Sequence, residues 1–182
     1  MDVWKEFDHN IITHSAAHHL MALDDLIQKF GYARVSDVAR LLNITRGSVS
    51  ISLKPMKEAG LIVQDENRHL RLSPPGQQLV DAIKAKRMLV KRLLADVLGV
   101  NPEQAEIDAC KMEHLISAET AGRLVAFLRY VDSDQPSKNA FLAAWKDFES
   151  TCGHEPGDCP ICEGDCMANA VESGPAGSED HE

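Results

Sequence analysis

The chain lacks the features that mark a secreted or membrane protein. Residues 1–6 are not a basic lead followed by an apolar run, and no segment approaches the roughly 18 consecutive apolar residues of a membrane span. The chain also has no glycine-rich phosphate loop and no recognisable pairing of a nucleophile with a base. We therefore expect a cytoplasmic protein that makes no membrane contact and is not an enzyme.

Cysteine is scarce in most of the chain. Of the five cysteines, Cys110 is the only one before residue 152, and an odd number clustered at one end is a poor disulfide framework. The other four lie close enough together for a tetrahedral zinc site or an iron–sulfur cluster. The alternative is a disordered tail with exposed thiols. The tail cysteines are Cys152, Cys159, Cys162 and Cys166.

Basic residues are missing from the end of the chain. Residues 147–182 hold ten Asp or Glu and no Lys or Arg, so the acidic excess behind the net charge of −9 lies there. The five Gly and three Pro after Ser150 indicate a segment that cannot bury a core of its own. Residues 33–72, by contrast, contain seven Lys or Arg against four Asp or Glu. The sequence predicts a flexible acidic cysteine-rich tail over residues 149–182 and a DNA-binding surface in the basic segment.

Two short helices are predicted within this basic segment. Ser36 is the predicted N-cap of the first, a turn follows at residues 43–44, and Thr45 is the N-cap of the second, which ends at Gly60. This spacing is typical of a helix-turn-helix. Residues 61–72 then predict two strands around a polar turn, which is the wing of a winged helix.

The exposed start of the second helix is the predicted DNA-reading surface. Its small, polar and basic side chains suit a major groove, where they can reach base edges. Pro55 should kink the C-terminal half of this helix and leave its N-terminal half able to read bases. The alternative is a winged helix that binds only protein. The residues expected to contact double-stranded DNA are Ser36, Thr45, Arg46, Gly47, Ser48, Ser50, Ile51, Lys54 and Arg68.

The predicted fold is mostly α. A winged helix-turn-helix domain is predicted for residues 1–74 and an all-helical dimerisation domain for residues 75–148. These helices leave an apolar face uncovered, which predicts a homodimer. The helices of the second domain are predicted at residues 75–98, from residue 102, from residue 117 and at residues 137–148.

One helix of the second domain carries three types of metal ligand. Cys110, Glu113 and His114 place a thiol, a carboxylate and an imidazole on one face. The alternative is a core cysteine beside a surface glutamate and histidine.

The first helix, predicted for residues 3–30, carries a second set of donors. His14, His18 and Met21 fall at i, i+4 and i+7, so two imidazoles and a thioether share one face. That face could turn toward Cys110, which would join the two sets of donors.

Several motifs recur in a known family. They are residues 31–39, the helix that begins at Thr45, residues 58–63, the Ser-Pro-Pro-Gly junction at residues 73–76, and residues 108–117. On these, residues 15 to about 148 resemble the diphtheria toxin repressor and manganese transport regulator family of metal-dependent repressors. The resemblance implies a winged helix followed by a helical dimerisation domain, with a divalent metal between them fixing the geometry that fits an operator. The SH3-like third domain of some members is expected to be missing, and the cysteine-rich tail stands in its place.

The resemblance also implies a ligand set. It makes Cys110, Glu113 and His114 ligands from the dimerisation domain, with His18 as the ligand from the first helix and Met21 as its neighbour.

The long helix departs from the family pattern. Where relatives have a ligand histidine, this chain has Met88 or Arg87, depending on a one-residue choice of register, and Lys91 stands where one branch has a carboxylate. Because a cation beside metal ligands is unfavourable, the second metal site of the family is expected to be absent or altered. The complete predicted metal set is His18, Met21, Met88, Cys110, Glu113 and His114.

Taken together, these features predict a homodimeric, metal-responsive transcriptional repressor that binds a near-palindromic operator and controls metal-ion uptake. Fe(II) is favoured over Mn(II) as co-repressor because the donors include a thiolate and an imidazole. The alternative is an iron–sulfur or zinc-binding winged-helix accessory protein that docks on a protein partner.

Overall fold

The structure is a computed structural model that describes residues 13–146. The chain divides into two compact units, Met1–Ser133 and Asp134–Glu182. The tail cysteines Cys152, Cys159, Cys162 and Cys166 lie outside the described residues, and their role stays a prediction. Domain boundaries after residues 74 and 148 also stay predictions. Among the described helices, none combines the length and the apolar character needed to cross a membrane.

The described part of the chain is mostly helical, as predicted. The first unit contains, in chain order, α1 (His14–Phe30), α2 (Val35–Leu41), α3 (Arg46–Glu58), β1 (Ile62–Gln64), β2 (Leu70–Leu72), α4 (Pro74–Arg92), a π-helical segment (Leu93–Val97), α5 (Pro102–Met112) and α6 (Ala118–Asp132). The second unit contains α7 (Pro136–Lys146).

Helix α1 is the centre of the winged-helix core. Leu20 and Leu23 are fully buried, and α1 packs against α2, α3, α4 and β2. Its predicted start near residue 3 is wrong, because the Thr13 hydroxyl accepts a hydrogen bond from the Ala16 N–H at 3.2 Å and so begins a helix at His14. Gly31, with φ of 77°, ends it as predicted.

The helix-turn-helix forms at the predicted positions, with one corrected cap. Asn43 has a left-handed backbone (φ 53°) in the turn, and the Thr45 hydroxyl accepts from the Ser48 N–H at 3.1 Å at the start of α3. The N-cap of α2 is Arg34, so the prediction of Ser36 was wrong. The Arg34 N–H donates to the Asp37 carboxylate at 3.1 Å, which anchors the helix start two residues earlier.

The wing is a short antiparallel hairpin that ends against α4. Strands β1 and β2 pair with Ile62 opposite Leu72. Ser73 caps α4 by accepting from the Gly76 N–H at 3.1 Å, and its own N–H donates to the Leu61 carbonyl at 3.0 Å. A Cβ atom at Gly76 would lie 2.1 Å from that carbonyl oxygen. Glycine is therefore the residue that lets the long helix approach the wing.

A buried ion pair also joins the winged helix to α4. Asp24 of α1 is almost fully buried, and Lys84 of α4 donates to it at 2.8 Å and to Asp25 at 2.8 Å. The predicted single helix from residue 75 to residue 98 is corrected in its last turn. The α-helix ends at Arg92, and the π-helical segment follows, with the Leu98 N–H donating to the Leu93 carbonyl at 3.0 Å.

Candidate metal centre and DNA-binding surface

Helices α1 and α5 bring their donor faces together. The Cys110 sulfur lies 3.2 Å from His18 Nε2, although the two residues are 92 positions apart in the sequence. His14, one turn before His18, joins them, and the ligand atoms of His14, His18 and Cys110 all lie within 4.8 Å of one another. The expected turn of the α1 face toward Cys110 is what the structure shows.

His114 extends this group of rings. Its ring centroid is 4.8 Å from that of His14, which is itself 4.4 Å from that of His18. The Nδ1 atom of His114 is buried and has no hydrogen-bond partner among the described residues. A buried nitrogen without a partner is a free donor for a cation.

Glu113 is unusual because it is an acidic residue in a buried position. It follows α5 directly, is fully buried, and neither carboxylate oxygen has a hydrogen-bond partner among the described residues. Burial raises the pKa of Glu113 to about 7, although Arg87, whose Nε atom is 3.8 Å from the carboxylate, acts in the opposite direction. Buried carboxylate oxygens without hydrogen bonds are unfavourable in a folded protein, and Arg87 approaches them only at the outer limit of an ion pair, so this residue fits a metal site.

The imidazoles are held in the form that binds metal. Burial, with His14 as the next cause, lowers the pKa of both His18 and His114. Burial therefore favours the neutral form of both rings, which carries a free lone pair. Burial raises the pKa of the Cys110 thiol, so this group releases its proton when it ligates a cation.

Arg87 of α4 lies beside the site and is held by an acidic side chain. The Arg87 Nε donates to Glu106 at 2.8 Å, and Lys91 lies 2.7 Å from the same carboxylate. The hydrogen bonds from Lys91 and Arg87 lower the pKa of Glu106. We refer to Arg87, Lys91 and Glu106 as the ion-pair cluster. It places two positively charged side chains on the part of α4 where the resemblance implied that the second metal site is absent or altered.

The two predicted methionine ligands lie beside the donors on a cavity wall. Met21 is buried and Met88 is 62% exposed. Both line a cavity of about 460 Å³ together with His18. Their role as ligands stays a prediction.

The predicted DNA-reading residues of α3 are all exposed. Arg46, Gly47, Ser48, Ser50 and Lys54 lie on the open side of the helix. Ile51 is 75% exposed, which is unusual for a large apolar side chain and suits contact with a thymine methyl group.

Three further predicted DNA-binding residues flank α3. Thr45 forms its cap, and Arg68 is exposed in the wing turn with a left-handed φ of 63°. Ser36 is half-buried inside α2. Arg68 is therefore better placed than Ser36 for contact with a phosphate.

Two features of the site were missed by sequence reasoning. His14 was recognised as part of a helical stripe but not as one of the predicted metal residues, although its i, i+4 spacing from His18 was a usable signal. The ion pair between Arg87 of α4 and Glu106 of α5 joins residues 19 positions apart in the sequence, and no local pattern marks it.

Comparison with known proteins places these features in a family. Residues 73–140 match the family model described as iron dependent repressor, metal binding and dimerisation domain. The chain is 36% identical over 105 residues to the transcriptional regulator MntR of Salmonella typhimurium, covering 58% of this chain and 66% of that one. It is 34% identical over 94 residues to the diphtheria toxin repressor of Corynebacterium diphtheriae, covering 52% and 42%. This chain belongs to the diphtheria toxin repressor and MntR family.

Solved structures agree on the fold of the family. The manganese regulator SloR aligns with a TM-score of 0.57 at 22% identity, covering 63% of this chain and 54% of that one. A hypothetical protein, SSo2273 from Sulfolobus solfataricus, aligns with a TM-score of 0.56 at 18% identity, covering 64% and 89%. Those relatives that carry functional names are repressors and regulators. The chain spans less than two thirds of the length of these curated relatives.

Proposed function

We propose that this chain is a metal-responsive transcriptional repressor that binds operator DNA as a homodimer. The observation that carries the proposal is the contact between His18 and Cys110, because it joins the winged helix to the dimerisation helices through two metal-ligand atoms. The buried carboxylate of Glu113, which has no hydrogen-bond partner among the described residues, lies at the same helix end. When bound, a divalent cation supplies a cross-link between α1 and α5 and neutralises this carboxylate.

Metal and DNA then act on the same equilibrium. The winged helix carries α3, and α1 packs directly against α3, so holding α1 against α5 restricts the orientation of the DNA-reading surface. A ligand that favours one orientation raises the affinity of any second ligand that needs the same orientation. DNA and metal should therefore strengthen each other's binding.

We propose Fe(II) as the preferred co-repressor over Mn(II). Mn(II) favours carboxylate, carbonyl and water oxygens, whereas this site offers a thiol and several imidazoles with one carboxylate. Control of metal-ion uptake follows as the physiological role, since a repressor that binds DNA only when metal is plentiful would lower its import.

The homodimer and its operator are parts of the same proposal. Ile107, Met112 and Leu115 of the α5 region are exposed, although each is large and apolar. Such a surface is typical of a face that a second copy covers. Two winged helices related by a two-fold axis would read a near-palindromic operator.

A DNA-binding titration tests this function. The probe is a duplex selected from a random pool by the Fe(II)-loaded protein, kept anaerobic at fixed salt because salt alone changes affinity. Fe(II) is expected to raise the affinity for this duplex on the order of 10-fold to 100-fold over that of chelator-treated protein. The Cys110→Ser variant is expected to lose this gain. Cys152→Ser, which changes a tail cysteine, is the control and should keep it. Equal affinity with Fe(II) and with chelator would contradict the proposal.

Base reading by α3 gives a second prediction. Arg46→Ala should weaken binding to the selected duplex by about 1–3 kcal/mol and reduce the preference for one base pair, because it removes an exposed guanidinium from the helix start. Competition between the selected duplex and single-base variants measures both effects. Arg123→Ala, which removes an exposed arginine of α6, is the control. A base preference unchanged by Arg46→Ala would show that α3 is not the reading helix.

A further inference from the structure

We propose that His14 is a direct metal ligand, and that it makes the site a nitrogen–sulfur centre with His18 and Cys110. The inference rests on the proposed metal response and names a donor that the predicted ligand set does not include. It also identifies the cation by class, as a first-row divalent ion that accepts thiolate and imidazole, such as Fe(II), Co(II) or Zn(II).

The distances support three donors for one cation. Ligand atoms around a tetrahedral ion at ordinary bond lengths lie about 3.3–3.6 Å apart. His18 and Cys110 are already 3.2 Å apart, and the widest separation in the set with His14 is 4.8 Å. A change of about 1 Å in the position of the exposed His14 ring closes that gap, which rotation of its side chain can supply.

The position of His14 in its helix places its ring in the donor group. It is the first residue of α1, directly after the Thr13 cap and one turn before His18. Its ring also lies against two other histidine rings, at 4.4 Å from His18 and 4.8 Å from His114. Three imidazoles this close can supply nitrogen ligands to one ion.

Two further donors stand next to these three. Glu113 has two buried oxygens, and His114 one buried nitrogen, without hydrogen-bond partners among the described residues. Either residue can complete a four-coordinate set from α5. A cation ligated by His14 would also fix the first turn of α1, so metal binding would order the N-terminal end of the same helix that packs on α3.

Co(II) spectroscopy on the full-length chain tests this inference without DNA. Cys152, Cys159, Cys162 and Cys166 are first replaced by serine, so that Cys110 is the one remaining thiol and any thiolate-to-Co(II) charge-transfer band reports it. This parent should show that band together with the strong visible bands of four-coordinate Co(II). His14→Ala should keep the charge-transfer band, lose much of the visible intensity and bind Co(II) on the order of 100-fold more weakly. His69→Ala, a wing histidine, is the control and should change neither.

A gain-of-ligand variant makes the test independent of damage to the fold. His14→Cys should add a second thiolate and raise the charge-transfer intensity about twofold, since the band scales with the number of thiolate ligands. An unchanged spectrum and affinity in His14→Ala, or no added intensity in His14→Cys, would overturn the role of His14 while leaving the proposed function intact. A parent protein without the thiolate band would instead refute the Cys110 metal site, and the proposed function would fail with it.

Discussion

Gly76→Ala is expected to destabilise the protein by about 3 kcal/mol or more. The added methyl group would lie 2.1 Å from the Leu61 carbonyl oxygen, which is far inside van der Waals contact. That oxygen cannot move freely, because it belongs to the backbone and accepts the Ser73 N–H at 3.0 Å. Overpacking of a core usually costs about 1–3 kcal/mol, and a clash with backbone belongs at the upper end of that range or beyond.

Urea unfolding of the metal-free protein measures this effect, and the chain offers a matched control. Gly122 also lies inside a helix, α6, but a Cβ atom there meets nothing within 4 Å. Gly122→Ala should therefore stabilise the protein by about 0.5–1 kcal/mol through the better helix propensity of alanine. If Gly76→Ala is as stable as the parent, the long helix does not approach the wing as described.

The stability of the metal-free Glu113→Gln variant, measured relative to that of the parent, is expected to be higher at pH 8 than at pH 5. Burial raises the pKa of Glu113 to about 7 in the folded protein, from an unfolded value near 4.5. The folded state therefore prefers the protonated acid, and the parent loses stability as the pH rises from about 4.5 through 7. Glutamine stays neutral, so it avoids this loss. The gain from pH 5 to pH 8 should be about 2 kcal/mol.

The difference between the two pH values is the informative quantity, because any fixed penalty for a buried amide cancels. Urea midpoints at pH 5 and pH 8 supply it. Glu119→Gln, on the first turn of α6 and exposed, is the control and should show no such difference. A stability gain that does not change with pH would mean that burial does not raise the pKa of this carboxyl, which would then ionise as readily in the folded protein as in the unfolded chain.

The same substitution should remove the metal response. A neutral amide oxygen is a much weaker ligand for a divalent cation than a carboxylate, so Fe(II) should no longer tighten DNA binding at concentrations that saturate the parent. The variant would then gain stability relative to the parent as the pH rises and lose the response to metal. That combination distinguishes a ligand from a structural residue, whose loss lowers both properties.

Local patterns allowed most of the winged helix to be predicted. The Thr45 cap and the wing strands depend on residues close in sequence, and the structure places them as predicted. The errors also have local causes. The helix start at Thr13 and the Arg34 cap each depend on one hydrogen bond that competes with an equally plausible neighbour.

Helical spacing in the sequence predicted the site only as two separate sets of donors. Helical spacing placed the α5 donors on one face and the α1 donors on another. The meeting of His18 with Cys110 is a tertiary contact, which the helical spacing allowed and the resemblance implied. The buried state of Glu113 and its unpaired oxygens depend on the packing of α4 and α5, which no sequence pattern specifies.

The ion-pair cluster would affect how the protein's output depends on the metal concentration in a cell. Arg87 and Lys91 both pair with Glu106, and we propose that these side chains take the place of a second metal ion. A sensor that must collect two ions per chain responds to the square of their concentration and so behaves as a threshold. A chain that binds one ion responds to the first power. Its output would follow the metal supply as a graded signal, adjusting import continuously instead of switching it on or off.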